Sequence, residues 1–440
     1  MMRKCAFFLL SISVFLFFVQ AARTENCSDT PYLNLKATAT RIVDRLQKLA
    51  EFGKTPEGGV SRLAFSSEDI QGRQYVVSLM KEAELSIRID AAGNIIGRRE
   101  GQDPSLPPIM FGSHTDTVPN GGKFDGALGV IGAIECVQVL KENLIQTKHP
   151  LEVIVFSDEE GGSVGSRSMV QALPPEALEL VSQSGKTIRL GIRDLDGDPD
   201  NIQKAVCKKG EIKAFLELHI EQGGILESKK TNIGIVEGIV GITRAEVTVE
   251  GVANHAGTTP MDMRQDALLG ASHFIIAVNT IVRNMSGRQV GTVGRIKAEP
   301  GAPNVIPGKV VMSLELRDLD PEKVRSIFHQ IQEEAQAIAE KTGTKISFSP
   351  VHAVAEPALT EPEIRKMIAQ SAEELGLTTL LMQSGAGHDA QNMARIAPTG
   401  MIFIPSAGGI SHSPKEFSPI EDIVNGCNVL LLTILKIDRN

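Results

Sequence analysis

From about Leu35 the chain alternates helix-like stretches with short, unbroken apolar runs closed by turns: Ile109-Met110-Phe111-Gly112 is one run, Asp125 to Leu140 reads as helix, and Leu151 to Phe156 is the next run. A strand covered on both faces shows no polar alternation, so this order predicts an α/β fold with a mostly parallel sheet and helices on both faces. Near Thr243 the rhythm changes, and Arg244 to Glu250 alternates residue by residue, as a strand with one face toward water does. A helix (Arg264 to Val282), strands (Val290 to Ala298 and Lys309 to Leu319), a second helix (Glu322 to Lys341) and a strand (Lys345 to Val351) follow. The order β-α-β-β-α-β is that of a ferredoxin-like fold, which predicts an inserted lid domain over 240–351. The first pattern then resumes, with a strand at Met401 to Pro405 and a closing helix from Pro419 to Lys436. The main domain is therefore expected from 30–239 together with 352–440.

The N-terminus departs from both patterns. Arg3 and Lys4 precede an apolar run from Ala6 to Val19, with Val19 and Ala21 as small residues suited to a cleavage site. That is the pattern of a signal peptide over 1–21, too short and too early for a membrane span. It predicts export: periplasm or medium for a bacterial cell, endoplasmic reticulum lumen or extracellular space for a eukaryotic one, with no stable membrane association after cleavage. With 440 residues, 42% of them hydrophobic, the chain can bury more than one core. Its 45 basic and 53 acidic residues give −8, which argues against general affinity for nucleic acid. Beyond Cys5, the cysteines at 27, 136, 207 and 427 lack the close spacing of a structural zinc site or a disulfide scaffold.

Acid and imidazole groups recur just after the apolar runs: His114-Thr115-Asp116 with Asp125, Asp158-Glu159-Glu160, Glu217-Leu218-His219, and Ile410-Ser411-His412. Taken singly, a histidine beside an apolar strand is usually a packed or surface histidine, and a Glu-Glu pair a solvated face. Four such segments at four strand ends are another matter, because the carboxyl ends of parallel strands share one edge of a sheet. The donors are imidazole and carboxylate without thiolate, which suits Zn or Mn, with Co or Ni also accepted. Asp116, two residues beyond His114, is placed to accept the imidazole N–H and fix the ring.

Longer stretches around these residues resemble the M20 metallopeptidase family, and within it the branch of N-carbamoyl-L-amino-acid hydrolases, allantoate amidohydrolases and ureidoglycolate amidohydrolases. The likeness runs from about 36 to 437 and rests on Gly112 to Gly126, Glu217 to Gly223, Gly385 to Ala390 and Gly408 to Pro414. The resemblance implies two divalent metal ions per subunit, one held by His114 and His219, the other by Glu160 and His412, with Asp125 bridging them. It makes Glu159 the general base, and the histidine at 219, where many family peptidases have aspartate, favours the carbamoylase and allantoate branch. It also implies a homodimer in which His255 reaches the partner's site, while Gln222, Asn304, Arg317 and Gly387 bind a small anionic ureido substrate and His388 supports the pocket floor. Arg317 suits a carboxylate because its planar fork donates two parallel hydrogen bonds.

One segment departs from the pattern: after Glu159-Glu160-Gly161 many relatives continue with an Arg-Phe loop, whereas this chain has Gly162-Ser163-Val164-Gly165. The pocket wall beside Glu160 is therefore expected to differ. An exported aminopeptidase or deacylase of the same fold would instead cut dipeptides or N-acyl amino acids. A non-catalytic binding protein would have lost a ligand or the base, yet all six of His114, Asp125, Glu159, Glu160, His219 and His412 are present.

Overall fold

The computed structural model describes residues 32–440, so the expected signal peptide lies outside the described residues. The main sheet has nine strands. Ser86–Ile89, Ile95–Arg99, Leu151–Phe156, Ile109–His114, Ala214–Ile220, Thr399–Ile404 and Ile233–Ile239 lie side by side in that order, and both Ala358–Leu359 and Thr379–Ser384 pair with the last. The four central strands run parallel. Antiparallel ladders extend this centre on both flanks, so the fold is mixed α/β with a mainly parallel core.

Successive residues of the central strands serve two apolar layers, which is why their runs carry no polar alternation. Ile109 and Phe111 pack with the helices Ala39–Ala50, Ala127–Glu142 and Ile420–Arg439. Met110 faces the other way, toward Met169, Phe215 and Met393. Ala127–Glu142 is apolar on nearly all sides because it lies between the sheet and the two other helices. Its one buried charge, Glu135, is paired at 2.6 Å with Arg41.

A second sheet is antiparallel throughout. Ile296–Glu299, Lys309–Asp318, Gly241–Glu250 and Lys345–Phe348 lie in that order. Its alternating residues Val247, Val249, Val310, Met312, Leu314 and Leu316 pack on the helices Ala267–Asn284 and Pro321–Thr342. The second of these helices has clear local signals: the Asp320 side chain accepts from Glu322 N, Pro321 opens the first turn, and Gly343 closes the helix at φ +65°. The strand expected over 290–298 divides into Val290–Thr292 and Ile296–Glu299, both paired with Lys309–Asp318. The sheet also continues beyond 351, since His352–Ala355 pairs with the start of Gly241–Glu250.

Arg62, fully buried, ties the first helix to the main sheet. Its guanidinium donates to Leu49 O (2.8 Å), Phe52 O (3.1 Å) and Thr115 O (2.6 Å), one residue beyond His114. Burial pulls its pKa down to about 10, against the opposing pull of Asp69 and Asp116, so it stays charged at neutral pH. Arg62→Met leaves these carbonyls without their donor and should cost about 3 kcal/mol. A lowered denaturant midpoint at unchanged slope checks this; an unchanged midpoint refutes it.

Candidate metal centre

The edge where the central strands end gathers the segments singled out in the sequence. His114 closes its strand, His219 lies one residue before the end of Ala214–Ile220, Glu159 and Glu160 open a helical turn after Leu151–Phe156, and His412 follows Thr399–Ile404. Asp125 sits between them. Its Oδ1 lies 3.5 Å from His114 Nε2 and 3.2 Å from His219 Nε2. Its Oδ2 lies 3.4 Å from His412 Nε2, which is itself 3.5 Å from Glu160 Oε1. Two groups of potential ligands, His114/Asp125/His219 and Asp125/Glu160/His412, thus share one carboxylate.

Such spacings are those of atoms that converge on a cation. Ligand atoms about 2.1 Å from a tetrahedral ion are separated by about 3.4 Å. The ring orientations agree with this. His114 Nδ1 lies 3.0 Å from Asp116 O and His219 Nδ1 2.9 Å from Ile220 O, so each Nδ1–H donates to a backbone carbonyl and leaves Nε2 with its lone pair turned inward. Gly126 N–H donates to His219 Nε2 at 3.2 Å, which requires that nitrogen to be unprotonated. Gly126 itself has φ +61°, and a Cβ there would come within 2.5 Å of three His114 ring atoms. Gly126→Ala should therefore displace the ring and lower metal content in elemental analysis; full occupancy would contradict this packing.

Electrostatics point the same way. Burial drives Glu159 well above the ordinary carboxylate range, His114 opposing it and Asp389, Glu160 and Asp116 adding to it. Glu160 is raised to about 7, again by burial first and then by Asp125. Burial also acts on Asp125, but His219, His114 and His412 outweigh it and hold the carboxylate ionised. His412 is raised to about 9, chiefly by its hydrogen bond to Asp125. A buried group of carboxylates of this kind is offset by positive charge, and the donor set fits a divalent cation.

The hydrogen bonds around the ligands came out differently from expectation in one place. Asp116 does not receive the His114 N–H on its carboxylate, which is 3.6 Å away; its own backbone carbonyl is the nearer acceptor. The carboxylate instead accepts from the backbone N–H groups of Glu159 (3.3 Å) and Glu160 (3.0 Å). It thereby fixes the turn that carries both.

Gln222 lies in the cluster: its Nε2 donates to Asp125 Oδ2 at 2.6 Å, while its buried Oε1 has no partner. His388 is buried, its ring 4.6 Å from that of His219 in an edge-on contact, and burial holds its pKa well below the usual range. It is a neutral support for the ligand. The other expected substrate residues stand apart from this cluster. His255 and Asn304 are exposed on a two-stranded ladder of the second unit, where Val305 pairs with His255 and Ala256 N donates to Asn304 O. His255 Nδ1 accepts from Gly257 N and Thr258 N, which leaves Nε2–H free to donate. Arg317 bonds Glu315 (2.8 Å) and the carbonyl of Gly385 (2.6 Å), two residues before Gly387. His149 is packed, and His273 and His329 belong to the second unit's helices.

Two supporting residues were given no role in the sequence reading. Glu217, wholly buried, accepts from Ser113 Oγ at 2.7 Å and from Ala390 N at 2.9 Å, locking His114's strand to the Gly385–Ala390 segment. Glu416 accepts from Phe124 N (2.9 Å), Asp125 N (3.1 Å) and Ser411 Oγ (2.7 Å), so it joins two ligand-bearing loops. Its position four residues after His412 was the only available signal. Glu416→Ala should weaken metal binding about 10- to 100-fold, as loss of a residue supporting a ligand does. Competition against a chromophoric chelator measures this, and unchanged affinity would remove Glu416 from the site.

Buried histidines and carboxylates sharing an aspartate at the carboxyl edge of a mainly parallel sheet are the hallmarks of a metal-dependent hydrolase. The chain belongs to peptidase family M20/M25/M40, whose model matches residues 110–436. It is 41% identical to an N-carbamoyl-L-amino acid amidohydrolase of Geobacillus stearothermophilus over 402 residues, 90% of this chain and 98% of that protein. It is 38% identical to a ureidoglycolate hydrolase of Arabidopsis thaliana over 92% of this chain and 87% of that protein. Among solved structures, an amidase of the hydantoinase/carbamoylase family from Burkholderia multivorans superposes with a TM-score of 0.85 at 34% identity, covering 92% of this chain and 99% of that one.

Proposed function

We propose that this chain is a binuclear-metal amidohydrolase that cleaves the ureido C–N bond of a small carboxylate, an N-carbamoyl-L-amino acid or allantoate, releasing ammonia and carbon dioxide. The observation that carries this reading is Asp125, whose two oxygens face His114 with His219 on one side and His412, beside Glu160, on the other. These five residues would hold two divalent ions, Zn or Mn, with Co or Ni also suited. When bound, such ions polarise the carbonyl and lower the pKa of water. Glu159 takes the proton of the attacking water and returns it to the leaving nitrogen. Asp116, through the two N–H groups it receives, holds Glu159 and Glu160 in register.

The amide of Gln222 and the Gly387 segment contact the ureido group in this reading, and Arg317 takes the substrate carboxylate after releasing Glu315. The second unit serves as a ferredoxin-like lid and dimerisation domain, with His255 and Asn304 acting at the site of a second copy of the chain. The exposed Nε2–H of His255 supports this, since it is a preset donor without a hydrogen-bond partner among the described residues. The N-terminal pattern supports export to a periplasm or secretory lumen. Ureidoglycolate is the alternative substrate, supported by the likeness to the Arabidopsis protein. Ammonia release from carbamoyl amino acids, allantoate and ureidoglycolate, abolished by chelator and restored by Mn or Zn, tests the whole reading. No release from any of them would overturn it.

A further inference from the structure

A cavity of about 510 Å³ is lined by Gly162, two residues after Glu160, by Gly387, next to His388, and by Arg167 and Arg395. That volume is in the range of small-molecule sites, roughly 300–1,000 Å³. It opens where this chain has Gly162-Ser163 after the Glu159-Glu160 pair. No side chain fills the wall there: Gly162 sits at φ +157°, and a Cβ at that position would meet nothing within 4 Å. Arg167 Nη1 donates to Gly162 O at 3.2 Å, which turns its guanidinium back toward the turn that carries Glu160. Neither Arg167 nor Arg395 forms an ion pair among the described residues, although Glu356 also lines the cavity. Gln391 is already committed, its Nε2 donating to Val240 O and Glu356 O.

Two exposed guanidiniums lining one cavity, neither in an ion pair among the described residues, are a receptor for an anion, and planar carboxylate is the group that best matches their donors. We propose that this cavity is a distal substrate subsite, and that the preferred substrate is a ureido acid with a second carboxylate on its side chain. The inference rests on the ureido-hydrolase reading above. In it the ureido group lies at the Asp125 cluster and the side chain enters this cavity, where Arg167 and Arg395 meet its carboxylate. Neither arginine touches the reacting atoms; both set specificity.

The test compares N-carbamoyl-L-glutamate with N-carbamoyl-L-glutamine, which has the same shape without the charge. Ammonia release by the metal-loaded, full-length protein gives kcat/KM for each. The charged substrate is expected to be favoured at least about tenfold, mainly through KM, as hydrogen bonds to charged groups are. In the double variant R167M/R395M the ratio should fall to near one. A ratio is measured on the active molecules alone, so partial misfolding of the variant does not disturb it. Equal turnover of both substrates by the unaltered protein would overturn the subsite while leaving the hydrolase reading intact. So would a preference that survives in the double variant. Absence of ammonia from every ureido acid would overturn the hydrolase reading, and the subsite with it.

Discussion

Glu159→Gln lowers kcat by about 10²- to 10⁴-fold, the usual contribution of a positioned acid–base group, while metal content stays at the level of the unaltered protein. The substitution keeps the shape and removes only the ability to carry the proton. Glu159 Oε2 is 3.7 Å from His114 Nε2, close to the ligands without sharing Asp125 as the others do. Elemental analysis and turnover measured on one preparation check both halves. Loss of metal in step with activity would mean that Glu159 is a ligand, and its role would pass to another group.

Asp125→Ala produces the opposite pattern and a larger loss. Both ligand groups depend on this carboxylate, so metal content should fall at both positions and turnover should drop below that of Glu159→Gln. Removing His412 is milder, because that ring is half exposed and lies at the rim. A protein that retains one full equivalent of metal after loss of Asp125 would show that the two groups are independent, contrary to the shared-carboxylate geometry.

The sequence made the ligands legible for a topological reason. Unbroken apolar runs identify strands covered on both faces, such strands run parallel, and whatever follows them arrives at one edge. That was enough to group the four segments carrying His114, Glu160, His219 and His412, whereas the choice of metal-binding residue within each came from the resemblance to the M20 family. The supporting residues were hidden because their partners are backbone groups brought in from distant loops. Nothing in the local pattern of Glu416 announces that it accepts from Asp125 N, 291 positions earlier. Asp116 illustrates a subtler failure: its spacing from His114 pointed to the ring, whereas the turn at Glu159–Glu160 supplies two N–H donors that the carboxylate takes instead. The division of the expected 290–298 strand has a similar cause. Gly294 interrupts a run that otherwise reads as continuous, and the strand on either side pairs with different parts of Lys309–Asp318.

The bond between Glu416 and the Phe124–Asp125 backbone sets an order of events during synthesis. A nascent chain with its first four hundred residues outside the ribosome has already released His114, Asp125, Glu160 and His219, yet lacks the last imidazole and the carboxylate that steadies the loop around Asp125. In the proposed reading, ion capture at full strength is therefore a late, post-translational event. A chain clipped by about thirty residues at its C-terminus would lack both His412 and Glu416 and, in the proposed reading, bind metal more weakly than the full chain.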